Sequence, residues 1–432
     1  MYTRLRQTLP ARNPRFRHFL AASTVSLVGS NVFDIAIPLY VLQRSGSVID
    51  LSLASMMLVL PQFFMAPLTG YFSDHRQKRL SLLAADVGQV ACLLALSLYA
   101  LWGGTALWPI LVCVFLTKTL MLTFETISQF QLIPALVGPA DLTSGNTWFL
   151  SLHRVIQIAG PLIGGVLMHF SGVQSCIWVN ILSFVATLHF TYRFTRLDQL
   201  LSPDKPVRTT SHPAAVVVEQ FRDSLRFIWR SPIFHPFILL MFLWNLSSLT
   251  LNSPSLTYYF TVTHQFSSAQ YGLIISSFGI LGIFGFMVSP ALYKRIPFAN
   301  VFLGSALFQA FFATLCVLPL GLPILMGGLF GVSRAGSSVL SMGNYFIRQT
   351  RVPRAQNGAI NSTLRMFFMS AAPLSSLLQG WMIDRFGVGT SLVFGAVCLW
   401  GTWYYSRSLA RAYREEEALL QPYPEMPTRR RA

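Results

Sequence analysis

MYTRLRQTLPARNPRFRH (Met1–His18) runs without interruption into FLAASTVSLVGSNVFDIAIPLYV (Phe19–Val41), and the junction between these two stretches decides the fold. The first stretch is basic. The second is apolar over more residues than the core of a secretory signal holds, and no small-residue cleavage site follows it, which predicts an uncleaved first transmembrane helix. Composition extends this reading to the whole chain. Of 432 residues, 53% are hydrophobic and 11% charged, against roughly 25% charged in a soluble domain.

Apolar spans recur at about Leu51–Phe72, Leu80–Leu101, Trp108–Leu132, Thr147–Phe170, Gly172–Tyr192, Ile233–Phe260, Tyr271–Tyr293, Val301–Leu320, Leu322–Phe346, Ile360–Ile383 and Val388–Tyr405. With the first, they predict an all-α membrane protein of about twelve transmembrane helices. Lysine and arginine collect in cytoplasmic loops. Of the 32 here, 26 lie in the N-terminal run, the even-to-odd connections and the tail; Arg44 and Arg385 lie in the opposite loops, and the last four lie inside spans. Both termini are therefore expected in the cytoplasm of a multi-pass inner-membrane protein. The net charge of +17 reflects this topology and contact with anionic lipids, with no role for nucleic acid.

The hydrophilic stretch between the sixth and seventh spans divides the chain into an N-terminal six-helix bundle (1–192), a cytoplasmic linker (193–232) and a C-terminal six-helix bundle (233–406), followed by a polar tail (407–432) expected to be disordered. In the linker, Val217, Phe221, Leu225 and Ile228 fall on one face of an amphipathic helix expected at the membrane surface. The halves echo each other: Trp108-Pro109 and Leu322-Pro323 open the fourth and tenth spans, each followed by a lone cation, Lys118 and Arg334. The five cysteines lie inside spans without metal or redox spacing.

Between the second and third spans stands GYFSDHRQKR, in which Gly70, Asp74, Arg76, Lys78 and Arg79 form a loop that resembles the signature of the major facilitator superfamily; Gln77 replaces its usual second glycine. The fifth span contains AGPLIGG, whose Gly160, Pro161, Gly164 and Gly165 resemble the glycine-proline motif of antiporters in that superfamily. Small residues four apart permit close helix packing, and the proline removes a backbone hydrogen bond. LIPALV, LTSGN, QYGLIISSFGILG and VPRAQNG, in that order, narrow the resemblance to the branch holding macrolide efflux proteins and the enterobactin exporter. Ser30 stands where many of those relatives carry Asp, and Asp34 follows one turn later. The resemblance implies two bundles that rock about a central site lined by helices 1, 4, 7 and 10, with the GYFSDHRQKR loop gating the cytoplasmic side.

Ionisable groups inside a bilayer are costly and are functional candidates by default. Six stand well inside spans: Asp34, Lys118, Glu125, Arg154, Arg334 and Arg365. Asp86, closer to the cytoplasmic end of the third span, is set aside. Four cations against two anions favour an anionic substrate, and the planar guanidinium fork suits carboxylates or catecholates. Asp34 and Glu125 are candidate proton carriers, or static ion-pair partners. Asn245, Asn252 and Asn344 are candidate cavity hydrogen bonders. The expected function is proton-coupled export of a small organic anion such as a siderophore. Multidrug or macrolide-type efflux, uptake of an organic anion, and a non-transporting membrane sensor or scaffold are the alternatives. The sequence carries no P-loop, HExxH or GxSxG, so no enzyme, cofactor or metal site is expected.

Overall fold

The computed structural model describes residues 9–64, 78–104, 106–127, 132–193, 213–247, 253–319, 321–352 and 357–420. Within them the chain is helical and no strand occurs. Gly70, Asp74 and Arg76, the side chains of Lys78, Arg79 and Glu125, and Asn252 lie outside the described residues.

The first long helix, α1 (Pro14–Ser45), starts where Asn13 accepts a hydrogen bond from the Phe16 amide at 3.0 Å, and it stops at Gly46, whose φ of 64° is open to glycine at no steric cost. Then come α2 (Val48–Phe64), α3 (Lys78–Leu101) and α4 (Trp108–Ile127). The helical run Ile133–Arg193 contains 61 residues, which would extend about 90 Å if straight. It turns back instead. Gly172 has φ 70° and ψ −175°, and Cys176 Sγ lies 3.8 Å from the carbonyl oxygen of Gly164, atoms that about 18 Å would separate along one straight helix. The two limbs, α5 (139–171) and α6 (173–193), are thus antiparallel neighbours.

Beyond the linker helix (Pro213–Arg230) the chain bends by 103° into α7 (Phe234–Leu246), and it continues through Pro254–Tyr258 and a π-helical turn, Tyr259–Thr263. The remaining helices are α8 (Ser268–Arg295), α9 (Phe298–Val317), α10 (Pro323–Arg351), α11 (Asn357–Phe386) and α12 (Val388–Leu420). Among the described residues, six helical stretches are long and apolar enough to cross a membrane; the doubled-back segment is one of them, while Val48–Phe64 and Trp108–Leu122 are apolar but shorter.

The linker helix forms, and Ile228 on its apolar face is 0% exposed, joining Ile233, Phe234, Ile360 and Leu364 in one cluster. The side chain of Val217 lies outside the described residues. The expected break at Arg407 is absent, because α12 continues to Leu420, with Leu409 and Tyr413 buried and Arg351 paired with Glu416 at 2.8 Å. Burial of those apolar residues stabilises the extra turns.

The largest core cluster joins both halves of the chain at one end of the molecule. It combines Phe33, Ile37 and Val41 of α1 with Cys176 and Ile177 of α6, and with Leu256, Tyr259, Phe260, Tyr271 and Phe330 from beyond the linker. Gly46, Gly103 and Gly172 turn the chain at this end.

Candidate functional site

α1 and α4 bring Asp34 and Lys118 together. Lys118 Nζ lies 2.5 Å from Asp34 Oδ1, with the side chains 10% and 24% exposed respectively. Expected as separate candidates, the two form one ion pair, in which the cation compensates a half-buried carboxylate. Glu125 is two turns further along α4, and its side chain lies outside the described residues.

Arg154 and Arg334 come from opposite halves. Arg154 on α5 donates to Gln157 Oε1 at 3.1 Å, and its guanidinium lies 5.2 Å from the Phe286 ring centre on α8, a cation–π arrangement. α8 is wedged between α5 and α10: a Cβ on Gly279 would meet Ile158, and one on Gly285 would meet Ala335. This places Arg154 near enough to Arg334 for the two positive charges to repel. Among the described residues neither arginine pairs with a carboxylate. Arg365 is exposed on α11 and sits elsewhere, near Arg348, whose Nε donates to Asn361 at 2.6 Å. Asn245 donates to Met241 within its own helix at 2.8 Å, so that donor is used locally.

The glycine-proline motif of α5 lies at two helix interfaces. A Cβ on Gly160 or Gly164 would meet Asn31 or the Val32 backbone of α1. One on Gly165 would meet the Ser268 carbonyl and Gly272 of α8, and Gly272 in turn lies against the Pro161 carbonyl. Ser276 Oγ donates to the Ile158 carbonyl at 2.6 Å across the same seam. The backbones of α5 and α8 approach so closely that the contact admits only glycine.

The residue that sequence reasoning passed over is Asp86. It is 1% exposed on α3 and faces Thr187 and Thr191 of α6. A signal was available: Asn180, Ser183, Thr187 and Thr191 recur every three or four positions along an otherwise apolar helix, and all four are buried. Such a stripe calls for polar company on the facing helix.

An all-helical, strongly apolar chain that brings charged groups of both halves near one another fits a polytopic membrane transporter. The chain belongs to the Major Facilitator Superfamily, whose family model matches residues 19–376. It is 24% identical to the multidrug efflux pump Tap of Mycolicibacterium fortuitum over 386 residues, covering 87% of this chain and 91% of that protein. It is 26% identical to the enterobactin exporter EntS of Citrobacter koseri over 83% of this chain and 82% of that protein. In fold it is similar to the crystal structure of a bacterial homologue of the iron transporter ferroportin in its inward-facing state, with a TM-score of 0.73 at 18% identity over 91% of this chain and 98% of that one.

Proposed function

We propose that this protein exports a small organic anion across the inner membrane in exchange for protons, as a transporter of twelve spans in two six-helix bundles with both termini cytoplasmic. The observation that carries the reading is the convergence of Arg154 and Arg334 from the two halves, with no carboxylate paired to either among the described residues. An anionic substrate supplies the missing charge, and it bridges the two bodies whose relative movement would carry it across. Lys118 is already neutralised by Asp34. Protonation of Asp34 frees that lysine, so the pair is where proton and anion would sense each other. A siderophore-like polycarboxylate or catecholate fits the guanidinium geometry, and the likeness to an enterobactin exporter supports it. The likeness to a multidrug efflux pump favours a second reading, export of antibiotic-like compounds.

The test is metabolite profiling of cells and medium from a deletion strain, complemented with the natural protein or with Arg334→Ala. The expected result is loss of an anionic metal-chelating compound from the medium and its accumulation inside, restored by the natural protein and not by folded Arg334→Ala. Full restoration by Arg334→Ala would remove the anion-binding role of that residue. Failed uptake with unchanged secretion would reverse the direction.

A further inference from the structure

Among the described residues, Asp86 is a buried carboxyl group that neither the ion pair nor the arginine pair uses. Asp86 sits at the α3–α6 interface with both carboxyl oxygens out of contact with water. The hydroxyls of Thr187 and Thr191 approach it without hydrogen-bonding geometry to either oxygen. The single hydroxyl proton of Thr187 is already given to the Phe184 carbonyl at 2.8 Å, so towards Asp86 that oxygen can only accept. One turn along α3, Gln89 is 0% exposed; its amide nitrogen donates to the Ala85 carbonyl at 3.2 Å, and its Oε1 receives no hydrogen bond. Both carboxyl oxygens of Asp86 and Oε1 of Gln89 are therefore buried without a hydrogen bond.

Among the described side chains no cation fills the gap; those of Lys78 and Arg79 on α3 lie outside them. α3 packs on α4 and on the α5–α6 pair. On α4 the charge of Lys118 is taken by Asp34, and the side chain of Glu125 lies outside the described residues. On α5, Arg154 is exposed, and His153 is partly buried near Phe149. On α6, His189, Tyr192 and Arg193 are exposed. Among the described residues Asp86 belongs to no ion pair. A buried carboxylate with no ion pair and no hydrogen bond is strongly unfavourable, whereas one added proton removes its charge.

We propose that the α3–α6 interface of this transporter holds a proton-binding site in which Asp86 carries the proton and Thr187 accepts its hydrogen bond. The site is separate from the Asp34–Lys118 pair. Its use in transport rests on the proton coupling proposed above; its occupancy by a proton rests on the interface alone. A proton needs no cavity, which suits a close-packed interface better than a metal cation does.

The experiment is pH-difference infrared spectroscopy on the full chain in lipid nanodiscs. The natural protein is expected to show a protonated-carboxyl C=O band that disappears in Asp86→Asn and shifts in frequency in Thr187→Val. Asp86→Asn copies the shape of the protonated acid, so its melting temperature should match that of the natural protein. An identical carboxyl band in Asp86→Asn and the natural protein would overturn the proposal. So would loss of the band on adding sodium at constant pH, since the bound ion would then be a metal. Proton coupling itself is read separately, from uphill transport by Asp34→Asn. A substrate-independent band at Asp86 would survive a negative result there.

Discussion

Lys118 and Asp34 hold each other in place across α1 and α4, and removing either partner alone strands the other. Lys118→Met should destabilise the protein by about 3–5 kcal/mol, the usual cost of an uncompensated buried charge. Adding Asp34→Asn to it should recover most of that loss, because two neutral groups of similar size replace the pair. Thermal melting of the detergent-purified single and double variants measures this; a double variant no more stable than Lys118→Met would show that the pair does not act as a unit. Arg334 is a different case. It has no carboxylate to strand among the described residues, so Arg334→Ala should lower transport far more than it lowers the amount of folded protein.

At the level of the helix, the α5–α8 seam is set by what is missing from its side chains. Gly165 and Gly272 let two backbones meet, and Pro161 and Ser268 contribute carbonyl oxygens at the same contact. Gly272→Val forces that contact apart. The expected cost is about 1–3 kcal/mol from overpacking, together with a loss of transport, since this seam joins the two halves. Transport at the natural rate with unchanged melting would mean that the helices separate freely there. The linker helix is also more than a connector: Ile228 is buried against the C-terminal half, while Arg222, Arg226, Arg230 and Trp229 remain exposed on the helix.

For the whole molecule, the proposed topology follows from the basic residues. Alkaline phosphatase fused after Ala432 should be inactive, and green fluorescent protein fused there should fluoresce, because each folds to its active form on opposite sides of the membrane; the reverse pattern would place the tail outside. The cluster bridging both halves gathers at the end turned by Gly46, Gly103 and Gly172. In the proposed orientation this is the end facing away from the cytoplasm.

The sequence by itself determined the solvent of this protein and its family. Spans of about twenty apolar residues have only one way to satisfy their backbone in lipid, which is to form helices. The glycine-proline motif was equally legible, because the absence of a side chain is a property of the residue and not of its neighbours. The tertiary structure alone decided the partners. Asp34 and Lys118 are far apart in the chain and nothing in their spacing pairs them; Arg154 and Arg334 likewise come near enough to repel because α8 packs on both α5 and α10. Asp86 looked peripheral by its position in the third span, but depth along a helix does not determine which face is buried. That depends on where α6 lies, and so on the turn at Gly172 that folds α6 back beside α5.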